Sequence, residues 1–323
     1  MPGYSAFGLV VRSNVPLTGL SEITGQPAGC TFALRRGPIA DRRTGRGLTR
    51  RTGHGHTLRR PDGTISLTVL RCRSGYLVRF PAVAIYLVST DGSTISCVRQ
   101  RGTRPQTVAH LFVTHVLPMA LSLRGRLVLH ASAVATPHGA VAFLGAAGQG
   151  KSTLSASFVR QAFPLITDDG LLLDDNGGTL VGVPSYPEMR LWPDVLSALG
   201  HGGLEAHDVG HRAGKMRLSA DRGSWPFCRD PVQVRRLYVL VPPETRAGRC
   251  PIRITACGPR DAFIELFKHT YRLDLDDRTR LRDELESIVR IAARPDLVHR
   301  LAFPRDFRRL PAVQAAILEH CGT

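Results

Sequence analysis

The sequence predicts an α/β protein, a P-loop core preceded by a smaller β-rich N-terminal domain. Three observations point there. Gly145-Ala146-Ala147-Gly148-Gln149-Gly150-Lys151-Ser152 is a complete phosphate-loop pattern between the apolar run Val141 to Leu144 and a helix-forming stretch. Residues 1–105 read as short β-type runs separated by Gly, Pro and Asp-Gly turns. Helical spacing marks Asp261 to Lys268, Arg278 to Ala292 and Pro311 to His320.

Along the chain, Gly8 to Val11, Ile65 to Leu70 and Val83 to Val88 are the clearest N-terminal strands. Arg35 to Arg60 holds nine arginines, five glycines, one acidic residue and no Phe, Tyr or Trp. It reads as a mobile, solvated loop, because nucleic-acid arms usually interleave aromatic residues for base stacking. Residues 106–126 read as a connecting helical segment, with apolar residues at helical spacing from Thr107 to Leu123 and a kink or break at Pro118. His110 and His115 in it are assigned to packing. Residues 127–323 form the catalytic domain in this reading. Leu127 to Val134 and Ala140 to Leu144 make a hairpin around Thr136-Pro137-His138-Gly139 that feeds the loop. Ser152 to Phe163 follows as a helix and Pro164 to Thr167 as a strand ending at Asp168-Asp169. Leu171 to Leu173 and Thr179 to Val183 flank an Asn-Gly turn, and Val234 to Val241 is a further strand.

Composition limits the classes open to this chain. Its 323 residues are 43% hydrophobic, and no apolar run approaches the roughly 20 residues of a membrane helix. The N-terminus lacks the charged and apolar regions of a signal peptide, so a cytoplasmic protein with no membrane partner is expected. Seven cysteines without a CxxC pair are read as buried thiols. His54, His56, His201, His207 and His211 sit in glycine-rich sequence without further ligands, and no metal is assigned to them. The net charge of +17 suggests nucleic acid, but only three of the 43 basic residues are lysine (Lys151, Lys215, Lys268), a bias that reflects composition more than a binding face. Where arginine replaces lysine so widely, a surviving lysine marks a place where a compact ammonium matters. Lys151 is in the phosphate loop.

A phosphate chain needs many N–H donors at short range, supplied by glycines that let the backbone approach and by a helix N-terminus behind them. Gly145 to Thr153 is accordingly the nucleotide-binding stretch, with Lys151 reaching the phosphates and the Ser152 hydroxyl on Mg²⁺. Asp168 and Asp169, about 16 residues past the loop, are the carboxylates expected at the metal and at the attacking hydroxyl. On the residues alone, which of the two is base and which is ligand stays open. His130, on the strand before the loop strand, would run beside the phosphates.

The stretch Leu129-His130-Ala131-Ser132-Ala133-Val134, the loop Gly145 to Thr153, and Leu165-Ile166-Thr167-Asp168-Asp169 together resemble the catalytic domain of HPr kinase/phosphorylase. A closer likeness is to the HPr-kinase-like serine kinases of lasso-peptide biosynthetic clusters. It takes in Tyr4 to Leu20, Tyr186 to Pro193, His269-Thr270-Tyr271-Arg272 and Phe303 to His320, most of the chain. The resemblance implies a PEP-carboxykinase-like P-loop kinase core with a mixed sheet and an antiparallel hairpin around the loop. It implies transfer from ATP with Mg²⁺ to a serine hydroxyl, with His130 and Asp168 catalytic and Ser152 and Asp169 on the metal. Glu188-Met189-Arg190 is similar to the Glu-Ile-Arg of the HPr kinase signature, but Leu191-Trp192-Pro193 replaces its glycine-rich continuation, a departure that bears on recognition of HPr and on phosphorolysis. Glu188, Arg190, Lys215, Arg217, His269 and Arg272 are substrate or phosphate-binding candidates.

The leading expectation is therefore a serine kinase whose acceptor is a ribosomally made (RiPP) precursor peptide, at its C-terminal residue. A free-serine kinase and a nucleotide-binding regulatory protein without transfer activity are the alternatives. A nucleic-acid partner is not expected, and a homo-oligomer is left open.

Overall fold

The computed structural model describes residues 1–37, 55–59, 62–200, 206–208, 214–219, 225–243 and 251–322. Two compact units emerge: Met1–Arg126 with Tyr271–Arg282, and Leu127–Thr270 with Asp283–Thr323. Both are built on mixed sheets.

The first unit contains β1 (Gly3–Ala6), β2 (Leu9–Ser13), β3 (Glu22–Ile23), β4 (Cys30–Leu34), β5 (Gly55–Arg59), β6 (Ile65–Cys72), β7 (Gly75–Phe80), β8 (Ala84–Val88) and β9 (Thr94–Arg99). They form one sheet in the order β3-β1-β2-β4-β9-β8-β7-β6-β5. β4 runs parallel to both β2 and β9, and β5 to β9 form an antiparallel meander. Period-two patterning buries one face: Leu67 and Val69, then Tyr76, Val78 and Phe80, then Ala84, Tyr86 and Val88. α1 (Pro105–Leu111), a single π-helical stretch (Phe112–Val116) and α2 (Leu117–Ser122) pack on it. Phe112 stacks on Phe32 with centroids 4.1 Å apart, and the Tyr86 hydroxyl donates to the Val108 carbonyl at 2.8 Å.

Two expectations are corrected in this unit. The helical path does not break at Pro118. The Leu117 N–H bonds to the Phe112 carbonyl, which widens the turn just before Pro118, the second residue of α2. The end of the Arg-rich stretch is not loop, because Gly55–Arg59 pairs antiparallel with β6. Residues 38–54 and 60 of that stretch lie outside the described residues, and so do His54, His201 and His211.

The second unit begins with β10 (Leu127–Leu129), β11 (Ala131–Thr136), β12 (Gly139–Leu144), α3 (Lys151–Arg160), β13 (Leu165–Thr167), β14 (Leu171–Asn176) and β15 (Thr179–Val183). β16 (Glu188–Leu191), α4 (Pro193–Leu199), β17 (Ala206–Asp208) and β18 (Met216–Ser219) follow, the three strands forming a small separate sheet. β19 (Val232–Val241), β20 (Arg253–Ala256), α5 (Pro259–Lys268), α6 (Arg278–Ala292), β21 (Val298–Ala302) and α7 (Leu310–Gly322) complete the chain, the division between the units falling within α6. The main sheet runs β10-β14-β15-β19-β12-β11-β13, and β21 pairs parallel with the second half of β19.

β12 reads as a continuous apolar run because both its faces are covered. Val141 and Phe143 pack with Leu154 and Phe158 of α3 and with Val313 and Ile317 of α7. Ala140, Ala142 and Leu144 share the opposite layer with Leu266 of α5 and with Ile288 and Ile291 of α6. The uniform assignment of cysteines to the interior is corrected too: Cys30, Cys97 and Cys321 are buried, whereas Cys72, Cys228 and Cys257 are partly exposed.

Candidate active site

Sheet register brings the site to one edge. β11 is antiparallel to both β12 and β13, so the C-terminal ends of β12 and β13 lie at the same edge as the start of β11. Ala131 pairs with Leu144, the residue before the loop, and Ala133 pairs with Thr167, the residue before the aspartates. Gly145, Asp168 and His130 therefore meet there. One expectation changes: His130 is not within a strand but in the break between β10 and β11, where its N–H donates to the His269 carbonyl at 2.6 Å.

Gly150 caps α3 with φ 86°, a left-handed conformation that glycine adopts without strain. A Cβ on Gly145 would lie 3.3 Å from the Leu240 carbonyl, too close for easy accommodation. Lys151 is buried, and its ammonium donates to the Gly145 and Ala146 carbonyls at 2.6 and 3.4 Å. Burial lowers its pKa, opposed by the negative charges of Asp169 and Asp168. The Ser152 side chain, half-buried on the first turn of α3, has no hydrogen-bond partner among the described residues.

Both aspartates are buried, and each of their carboxylate oxygens has a partner. Asp168 Oδ2 accepts the Arg190 backbone N–H at 2.9 Å, and its Oδ1 accepts the Ser132 hydroxyl at 3.3 Å. Asp169 Oδ1 lies 2.8 Å from His130 Nε2, and its Oδ2 accepts from the Arg190 guanidinium. Ser132 Oγ also lies 2.5 Å from Ser155 Oγ of α3; with the single Ser132 proton turned to Asp168, Ser155 donates in that contact, which ties the carboxylate strand to the loop helix. His269 ends α5 with its pKa lowered to about 4, first by burial and then by the neighbouring His130 and Lys151, so its imidazole is neutral.

The other predicted residues fall in several places. Glu188 is buried on β16 and pairs with Arg217 at 3.3 Å, β18 setting Arg217 opposite Arg190 in register. The Lys215 ammonium lies 5.6 Å from the centre of the Trp192 ring. Arg272 belongs to the first unit. Lys268 is exposed beside Glu265, so scarcity alone does not mark a functional lysine.

Sequence reasoning missed Ser132 as a carboxylate partner, and it missed Arg305. The Arg305 guanidinium lies 3.5 Å from where a Cβ on Gly150 would stand and donates to the Val241 carbonyl at 3.0 Å. No local signal marks Arg305, because its approach to the loop depends on the pairing of β19 with β21.

The donor set suits a hard cation and an anionic chain. The Ser152 hydroxyl and two carboxylates are oxygen ligands of the kind Mg²⁺ takes, and the loop N–H groups, Lys151 and Arg305 suit phosphate. No family model matches the sequence. No curated protein matches it either. Among solved structures, the Hpr(Ser) kinase/phosphatase from Coxiella burnetii is similar at 14% identity, with a TM-score of 0.29 and coverage of 60% of this chain and 97% of that one. A likeness of that size leaves the function to be argued from the residues.

Proposed function

We propose that this chain is an ATP- and Mg²⁺-dependent phosphotransferase of HPr-kinase-like type that phosphorylates a serine hydroxyl on a peptide. The observation that carries the reading is the convergence, at one sheet edge, of a phosphate loop with a buried carboxylate pair held by an imidazole and a guanidinium. A nucleotide-binding switch needs the loop. A buried pair of carboxylates clamped by basic groups beside it suits a hydroxyl acceptor, whose proton must leave as the phosphoryl group arrives.

The loop amides and Lys151 would hold the phosphates, Lys151 exchanging the Gly145 carbonyl for a phosphate oxygen. Ser152 and Asp169 would hold Mg²⁺, which would neutralise charge on the transferring group. Arg190 and Arg305 add fixed positive charge beside the loop, and charge stabilisation of this kind is the main catalytic device in phosphoryl transfer. Asp168, fixed by Ser132 and the Arg190 N–H, accepts the serine proton. One observation favours a second reading: the 2.8 Å bond between His130 and Asp169 makes an orienting dyad in which the imidazole takes the proton instead.

The acceptor in this proposal is the C-terminal serine of a RiPP precursor of the lasso-peptide kind, in keeping with the sequence likeness given above. The test is to incubate the chain with ATP, Mg²⁺ and serine-terminated precursor peptides and to weigh the products. Addition of one phosphate, about 80 Da, is expected on the peptide. Transfer only to free serine would replace the peptide acceptor, and nucleotide binding without any transfer would overturn the kinase reading.

A further inference from the structure

A second cluster of chemistry-bearing side chains lies in the second unit, outside the site just described. Asp296, in the turn before β21, His299 on β21 and His320 on α7 offer one carboxylate oxygen and two imidazole nitrogens, all within 4.8 Å of one another. His299 Nε2 is 3.0 Å from Asp296 Oδ1, and the two rings meet edge to face with centroids 4.4 Å apart. His299 is 2% exposed, and its Nδ1 has no hydrogen-bond partner among the described residues. That nitrogen is on the far side of the ring from Asp296, so the His299 atom that faces Asp296 and His320 is Nε2.

The surroundings orient such a site. Tyr238 OH lies 2.9 Å from His320 Nδ1 and 3.3 Å from Cys321 Sγ. When the hydroxyl donates to the sulfur, its oxygen accepts from His320 Nδ1–H, the tautomer that keeps the Nε2 lone pair for a ligand. A ligating histidine is commonly fixed in this way through its other nitrogen. Asp296 is placed with φ 56°, a left-handed conformation that aspartate tolerates better than most residues. A cavity of about 510 Å³ lined by Asp296, Cys321, His138 and Arg294 reaches the Asp296 edge of the cluster.

We propose that Asp296, His299 and His320 bind a divalent transition metal of the zinc type, which fastens α7 to the sheet. The identity follows from charge. Arg236 Nη2, 2.5 Å from Asp296 Oδ2, offsets the single negative charge of the donor set. Hard cations that depend on carboxylates are thereby disfavoured, and metals that bind neutral imidazole are selected. The predicted Mg²⁺ site, made of oxygen donors, is of the opposite kind.

The test uses the full chain, untagged and freed of metal. Titration with Co²⁺ is expected to give visible d–d absorption that saturates at one equivalent, to be displaced by Zn²⁺, and to survive excess Mg²⁺. His320→Gln and His299→Gln should each abolish it, whereas His130→Gln at the other site should retain it. Tyr238→Phe keeps all three ligands and should weaken binding about tenfold, which keeps the test decisive if circular dichroism shows a histidine variant unfolded. No saturable absorption, absorption lost in His130→Gln but kept in His320→Gln, or an unweakened Tyr238→Phe would each overturn the site.

Discussion

Asp168 and Asp169 are adjacent in sequence yet held by different partners, and the difference makes their roles separable. Asp168 is gripped by a serine hydroxyl and a backbone amide, Asp169 by an imidazole and a guanidinium. Asp168→Asn should lower transfer by about 10² to 10⁴ while leaving nucleotide affinity nearly unchanged, measured as phosphopeptide formed against nucleotide bound. If His130→Gln gives that loss and Asp168→Asn does not, the dyad is the proton acceptor. The loop lysine and the aspartate pair were legible in the sequence because each is a local pattern with a chemical reason. Ser132 and Arg305 were not, since their partners lie 36 residues away just past the end of another strand or beside a loop reached only through β21. The likeness named Arg190 only as a phosphate candidate. Its double hold on the aspartates, by amide and by guanidinium, depends on the placing of β16.

Among the elements, strands with strong alternation and the loop helix were readable, while breaks and short strands were not. His130 sits where one apolar run divides into β10 and β11, a division set by β10 pairing with β14 and β11 with β12. β16 to β18 have three or four residues each and little periodicity, so only their mutual pairing defines them. The helical segment of the first unit was foreseen as kinked or broken at Pro118, and the helix does not break there but widens into a π turn just before the proline. The α3 cap supplies a prediction at this scale. Gly150→Ala forces a side chain into φ 86° and should cost about 1 kcal/mol in thermal unfolding. Nucleotide affinity should fall further than stability does, because the cap also aims the loop amides; equal losses would mean that the cap serves folding alone.

Taken whole, the chain carries a net charge of +17. A field of that sign attracts acidic peptides over distances of about 10 Å at moderate salt and is screened as ionic strength rises. For an acidic precursor, KM should therefore rise several-fold between low and physiological salt with kcat little changed, measured by initial rates; a KM independent of salt would remove charge from substrate recognition. The composition was legible, and so was a β-rich first part followed by mixed α/β sequence. What no linear reading could supply is the return of the chain. The first unit includes Tyr271–Arg282, where Leu273 is buried, Asp274 accepts the Tyr76 hydroxyl at 2.5 Å and Arg280 reaches the Thr90 carbonyl. Order of synthesis and order of completion are therefore different. Ribosomes add about 5 to 20 residues per second, so the N-terminal sheet waits many seconds for its last piece. During that interval the surface that receives Leu273 is bare, and the nascent chain is most open to chaperones and to aggregation until the piece arrives.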